Sequence, residues 1–201
     1  MCPILLARRL RTSQAIRFIV AVSLATVPGA KLFAQNATGI SNFGKVNTNY
    51  YRGGKLNLNA AMVLKRIGVK TVIDLQEKPD QKEAVWALTS GLKYVNIRLS
   101  SKHPATAAET EEFLKLVTDS QNWPVYVHCA GGRHRTGEMT AIYRITHDSW
   151  TADQAYDEMK KYEYYSFGGH GSLRDYVYSY YKAWLARANG NGKNRPATIL
   201  Q

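Results

Sequence analysis

A chain of 201 residues, 45% of them hydrophobic, is long enough for one domain with a buried core and too apolar for disorder. Lys and Arg number 27 against 15 Asp and Glu, a formal net charge of +12, which favours an anionic partner or substrate. No basic stripe interleaved with aromatics and no nucleic-acid motif accompanies that charge, so no nucleic-acid partner is expected.

The N-terminus has the pattern of an export signal. Arg8, Arg9, Arg11 and Arg17 form a basic region around the start of the apolar run FIVAVSLATVPGA (18–30), which is short for a membrane span. Residues 1–34 are expected to be a signal peptide cleaved after Ala34, although Leu32 stands where a small residue is usual. The mature protein would then be periplasmic or secreted. An uncleaved N-terminal membrane anchor is the alternative, and only in that case is stable membrane insertion expected. These residues hold Lys31, the four arginines and no acid, so removing five from 27 leaves 22 bases against 15 acids, or +7. Cys2 would leave with the signal, making Cys129 the only cysteine of the mature chain. A lone thiol in an oxidising compartment is a liability unless it reacts, which marks Cys129 as a candidate nucleophile.

Residues 35–44 (QNATGISNFG) are polar and turn-rich and read as a linker to a domain over 45–189. VNTNYYR (46–52) reads as an edge strand ended by Gly53 and Gly54. NLNAAMVLKRIG (57–68) places Leu58, Ala61, Leu64 and Ile67 on one helical face, capped by Asn57 and stopped by Gly68. KTVIDLQ (70–76) is a buried strand, KEAVWALTSGL (82–92) a helix, and KYVNIRL (93–99) an alternating strand. Residues 105–119 form an amphipathic helix carrying Phe113, Leu114, Leu116 and Val117. PVYVHC (124–129) has no acidic or basic side chain before its last two residues, as expected for the middle of a parallel sheet. Helices follow over Thr136–His147, over 151–162 with Thr151 as cap, and over 173–188; residues 190–201 read as a flexible tail. Alternating strands and helices give an α/β domain with a central, mainly parallel sheet flanked by helices.

Ligands of such sheets bind outside the carboxyl ends of the strands. HCAGGRHRTG (128–137) lies at one, between a central strand and a helix N-terminus. The helix start and the cations Arg133, His134 and Arg135 favour a thiolate at Cys129, the form that attacks. Ala130, Gly131 and Gly132 are small enough for successive backbone N–H groups to turn inward as an anion nest. Arg135 can fork two phosphoryl oxygens. Thr136 is placed to hydrogen-bond the sulfur, and His128 to fix the loop rather than react. Ala130, Gly131, Gly132, Arg133, His134 and Arg135 are thus the phosphate-binding candidates.

His128, Cys129, Gly132, Arg135, Thr136 and Gly137 match H-C-x-x-G-x-x-R-T-G. This pattern resembles the signature of the cysteine-dependent protein tyrosine and dual-specificity phosphatases. NYYRGG (49–54), TVIDLQ (71–76) and residues 137–159 resemble bacterial dual-specificity members, and R-H-R-T-G resembles the atypical plant and fungal branch that cleaves inositol pyrophosphates. The resemblance runs over about Asn42 to Tyr181. It implies a protein tyrosine phosphatase-like fold, a phosphocysteine intermediate on Cys129, phosphoryl binding by Arg135, and neither metal nor cofactor.

One feature departs from that family. Its general acid is an aspartate on a loop some thirty residues before the cysteine, yet NIRLSSKHPATAAETEEF (96–113) holds no aspartate. His103, Asp74 and His134 are the candidate proton donors. Glu109, Glu111 and Glu112 read as surface charges, and His170 among glycines as a loop residue. Arg52 either supports the phosphate loop or makes an unrelated buried hydrogen bond. Without a strong acid the best substrates are those with acidic leaving groups, aryl phosphates or phosphoanhydrides. The expected function is hydrolysis of phosphate monoesters on a phosphorylated protein or small molecule. The alternatives are a phospho-ligand-binding pseudophosphatase and an inositol polyphosphate or pyrophosphate phosphatase. Sulfur transferases carry a shorter loop before the arginine and are disfavoured.

Overall fold

A computed structural model describes residues 38–190. The expected signal and its cleavage site, and residues 191–201 of the expected tail, lie outside the described residues. Five strands make one sheet in the order β1-β2-β5-β3-β4. β1 (Gly44–Asn47) runs antiparallel to β2 (Tyr50–Gly53), and β2, β5 (Val125–His128), β3 (Thr71–Gln76) and β4 (Lys93–Leu99) are parallel to one another. This is the expected mainly parallel α/β sheet. β5 lies in its middle and all four of its residues are buried.

The single edge strand expected over 46–52 is instead a hairpin. The Asn49 amide donates to Asn47 Oδ1 at 2.8 Å, and this side-chain turn folds the chain back on itself. β1 therefore takes the edge and β2 pairs with β5. Residues 38–43, expected within a linker, belong to the domain. Ile40 and Phe43 are buried in the same cluster as Tyr126, and Ser41 O accepts from the Gly54 amide at 2.8 Å. Two apolar residues three apart suffice to dock a segment whose composition is otherwise polar.

Helices α1 (Leu58–Arg66) and α2 (Gln81–Thr89) cover one face of the sheet; α3 (Ala107–Thr118) and α4 (Arg135–His147) cover the other. Asn57 caps α1 as expected, accepting from the Ala60 amide at 2.9 Å. The buried stripe of α1 is Ala60, Ala61 and Leu64, whereas Leu58 and Ile67 are 46% and 40% exposed. Small alanines bring the middle of this short helix close to its neighbours, and its two ends overhang. The Thr106–Glu109 capping box opens α3, so Glu109 is a capping residue rather than a plain surface charge. α5 (Ala152–Lys161), capped by Thr151, and α6 (Gly171–Gly190) pack on the outer side of α4 through Ala141, Ile145, Ala155, Met159, Leu173 and Val177. No helix among the described residues is long and apolar enough to cross a membrane.

Strand alternation decides what reaches the site. Ile73, Leu75, Val125 and Val127 join the cluster under α3 and α4, and Val72 and Tyr126 join the one under α1 and α2. Asp74 and His128, opposite each other in register, therefore fall on the α1–α2 face.

Candidate active site

Cys129 leaves β5 buried, at the start of a loop that runs to the first turn of α4. The carbonyls of that loop are tied down from outside. Ala130 O accepts from the Lys55 amide at 3.1 Å, Gly131 O from Asn42 Nδ2 at 3.0 Å, and Gly132 O from Arg52 Nη2 at 2.7 Å. The carbonyls of Arg133 and His134 accept from the Gly137 and Glu138 amides as the helix begins. With the carbonyls held outward, the peptide N–H groups turn to the inside of the loop, the geometry of an anion nest. Gly132 has φ +69°, and a Cβ there would lie 2.5 Å from the Gly53 carbonyl carbon, so only glycine fits.

Arg52 is fully buried beneath the loop. It donates to Gly132 O, lies 4.0 Å from the Tyr162 ring centroid, and leaves Nε and Nη1 without hydrogen-bond partners. Burial pulls its pKa down, opposed by the nearby Tyr50, Tyr162, Glu158 and Cys129. Of the two roles open to Arg52, the geometry gives it support of the loop. Thr136 is also fully buried, and its hydroxyl has no partner.

His128 is buried on the α1–α2 side. Its Nδ1 is 3.4 Å from Cys129 O and 3.7 Å from Asp74 Oδ1, and its Nε2 is 3.4 Å from Glu83 Oε1. Oxygens of the two carboxylates and a ring nitrogen of His128 lie within 4.8 Å of one another, a buried polar cluster in which His128 Nε2 has no hydrogen-bond partner. Glu83 also accepts from the Leu56 amide and from Gln76 Nε2, and burial pushes its pKa up against the pull of His128. Leu56 follows the Gly53–Lys55 stretch that supports the loop, so Glu83 helps to hold that stretch. Asp74 is not placed to donate a proton to a leaving group. It is fully buried, with Oδ1 on the Gln76 amide and Oδ2 on the Tyr94 hydroxyl. It belongs to the strand that ends near the site, but the two-residue period points it away.

Arg135 opens α4, and its Nη1 donates to the carbonyls of Leu75 and Leu99 at 3.2 and 3.3 Å, at the ends of β3 and β4. His134 is stacked on His170, with ring centroids 3.7 Å apart, and meets Tyr165 edge-on at 4.4 Å. Burial first, and then His170, lower its pKa to about 4. An imidazole that is uncharged at neutral pH has no spare proton to give as an acid, so His134 is also removed from the donor candidates. His103 is exposed on the loop after β4, its amide donating to Ser100 Oγ. That loop is held at Ser101 O by His170 Nδ1, at Lys102 O by Ser172 Oγ, and at the Ala105 amide by Glu138 Oε1.

Four residues around the site were missed by sequence reasoning: Asn42, Glu83, Glu138 and Glu163. Glu163 accepts from Arg133 Nε at 2.8 Å and from Asn42 Nδ2 at 3.0 Å. Only Glu138 had a readable signal, as an acid in the otherwise apolar or small run TGEMTAIY of a buried helix.

A family model described as "DSP-PTPase phosphatase fused to NAD+ Kinase" matches residues 25–174. Dual specificity protein phosphatase TpbA of Pseudomonas aeruginosa (strain UCBPP-PA14) is 26% identical over 173 residues, 85% of this chain and 77% of TpbA. The crystal structure of P. aeruginosa TpbA superposes with a TM-score of 0.63 at 25% identity, over 75% of this chain and 92% of that one. The core catalytic domain of the PP-IP phosphatase SIW14 from S. cerevisiae gives 0.64 at 19% identity, over 78% of this chain and 96% of that one.

Proposed function

The chain belongs to the DSP-PTPase phosphatase family and is a phosphatase of the cysteine-dependent tyrosine and dual-specificity type, and from this premise we propose that Cys129 is its nucleophile. The observation that carries the assignment is the set of outward-held carbonyls from Ala130 to Gly132, which leaves an amide cradle beside a buried thiol. The Cys129 thiolate attacks phosphorus as the bond to the leaving oxygen breaks. Arg135 and the loop amides hold the equatorial oxygens. The Thr136 hydroxyl, which has no other partner, is available to the sulfur.

His103 is the proposed proton donor, since Asp74 and His134 fall away on geometry and charge. Its imidazolium protonates the leaving oxygen. In the second step the neutral ring takes a proton from the water that attacks the phosphocysteine, and Cys129 leaves as thiolate. The proposed substrates are aryl phosphate monoesters, phosphotyrosine above all, whose phenolic leaving group needs less help than an alkyl alcohol. TpbA is described as a dual specificity protein phosphatase, in keeping with this choice.

Purified protein is expected to hydrolyse phosphotyrosine in the presence of EDTA and to be inhibited by vanadate. Cys129→Ser abolishes turnover; full activity in that variant would refute the mechanism. His103→Gln lowers kcat on phosphotyrosine by about 100-fold or more. It costs less on acetyl phosphate, whose leaving group needs no proton. An equal loss on both would remove His103 as the acid.

A further inference from the structure

The segment between α5 and α6 touches both walls of the mouth. On the side of the phosphate loop, Glu163 holds Arg133, and Tyr164, Tyr165 and His170 surround His134. On the side of the loop carrying His103, His170 holds the carbonyl of Ser101, and Ser172 in the first turn of α6 holds that of Lys102. The segment is fixed within itself by the Tyr164 hydroxyl, which donates to His170 O and accepts from the Arg174 amide.

At its crest the Phe167 side chain is 73% exposed. One face of its ring is covered by Tyr165, with centroids 4.3 Å apart and planes 21° apart, and Tyr165 in turn abuts His134. Gly168 and Gly169 follow at φ +69° and +90°, and a Cβ on either would meet nothing within 4 Å, so the turn stands free in solvent. A stack of two aromatic rings, rooted on the phosphate loop and open on its outer side, has no partner in the core.

Resting on the phosphatase reading above, we propose that Tyr165 and Phe167 form the specificity-determining wall of the mouth, seating the aromatic ring of an aryl phosphate against Phe167. The charges nearby point the same way. Arg133 is turned aside to Glu163, and His134 is uncharged at neutral pH, so this wall presents aromatic rather than cationic surface. Lys102 and His103, on the opposite loop, are the exposed bases left at the mouth there. A polyanion such as an inositol pyrophosphate needs several cations around its outer phosphates; a tyrosyl ring needs a flat apolar face.

The test compares phosphotyrosine with acetyl phosphate, an activated substrate without a ring, on wild-type protein and on Phe167→Ala. Phe167 is exposed, so its truncation leaves the core intact. The wall predicts that the ratio of kcat/KM for phosphotyrosine over acetyl phosphate falls by about 2- to 10-fold, the worth of one stacked ring. Phe167→Trp is expected to hold or raise that ratio. An unchanged ratio in Phe167→Ala overturns the proposal, as does a wild-type preference for an inositol pyrophosphate over phosphotyrosine that Phe167→Ala leaves in place. Wild-type protein inert on both phosphotyrosine and acetyl phosphate would instead count against the phosphatase chemistry itself.

Discussion

Glu138 sits fully buried in the first turn of α4, one oxygen accepting from the Ala105 amide and the other without a partner. Burial raises its pKa from 4.5 to about 8, with the Ala105 hydrogen bond pulling the other way. The sign of the effect on stability follows. An unfolded chain ionises this carboxyl above its ordinary pKa of 4.5, while the folded chain keeps the proton up to about 8. Its contribution is whole below 4.5 and is lost as pH rises from there through about 8. Glu138→Gln keeps the acceptor for Ala105 and removes the ionisation. Urea unfolding is expected to find the variant more stable than wild type by roughly 1–3 kcal/mol at pH 8 and no more stable at pH 4. A gain of the same size at both pH values would show that packing, not charge, is at stake.

Elements show the same economy at their ends. Thr106 starts α3 by accepting from the Glu109 amide, and Glu109 Oε2 returns to the Thr106 amide at 2.7 Å. Thr106→Ala is expected to lower unfolding stability by about 1 kcal/mol; no loss in a melt would mean that the helix is held by packing alone. The cap follows directly on the loop that bears His103. Most elements were legible from the sequence because β-branched runs and helical periods reflect burial, as in β3, β4 and the stretch around Phe113 and Val117. The hairpin was not, because the turn at Thr48–Asn49 hangs on one side-chain hydrogen bond from Asn47. The placement of Cys129 at the end of β5 and of Arg135 at the head of α4 was readable because motif spacing and local backbone coincide. Asp74 misled because a strand's end locates a residue along the sheet but not on a face. Glu83 and Asn42 stayed hidden because their roles depend on partners far along the chain.

At the scale of the whole molecule, the sheet separates two polar systems. On the α1–α2 side, Asp74, His128 and Glu83 make a buried polar cluster under the Cys129 backbone. On the other side, α4 and the loops after β4 and α5 frame the mouth. A full charge of +12 says little about which anion binds, because the local arrangement turns one loop cation to Glu163 and leaves another uncharged. The cradle itself is a long-range product. Asn42 and Arg52 reach loop carbonyls 89 and 80 residues away, and both lie in or beside the edge hairpin. Without those two donors Cys129 would still stand at the end of β5 and Arg135 at the head of α4, but the carbonyls of Gly131 and Gly132 would lose the bonds that fix their direction. The orientation of the loop's peptide groups is thereby set from the β1–β2 hairpin and the residues just before it, not by the loop alone.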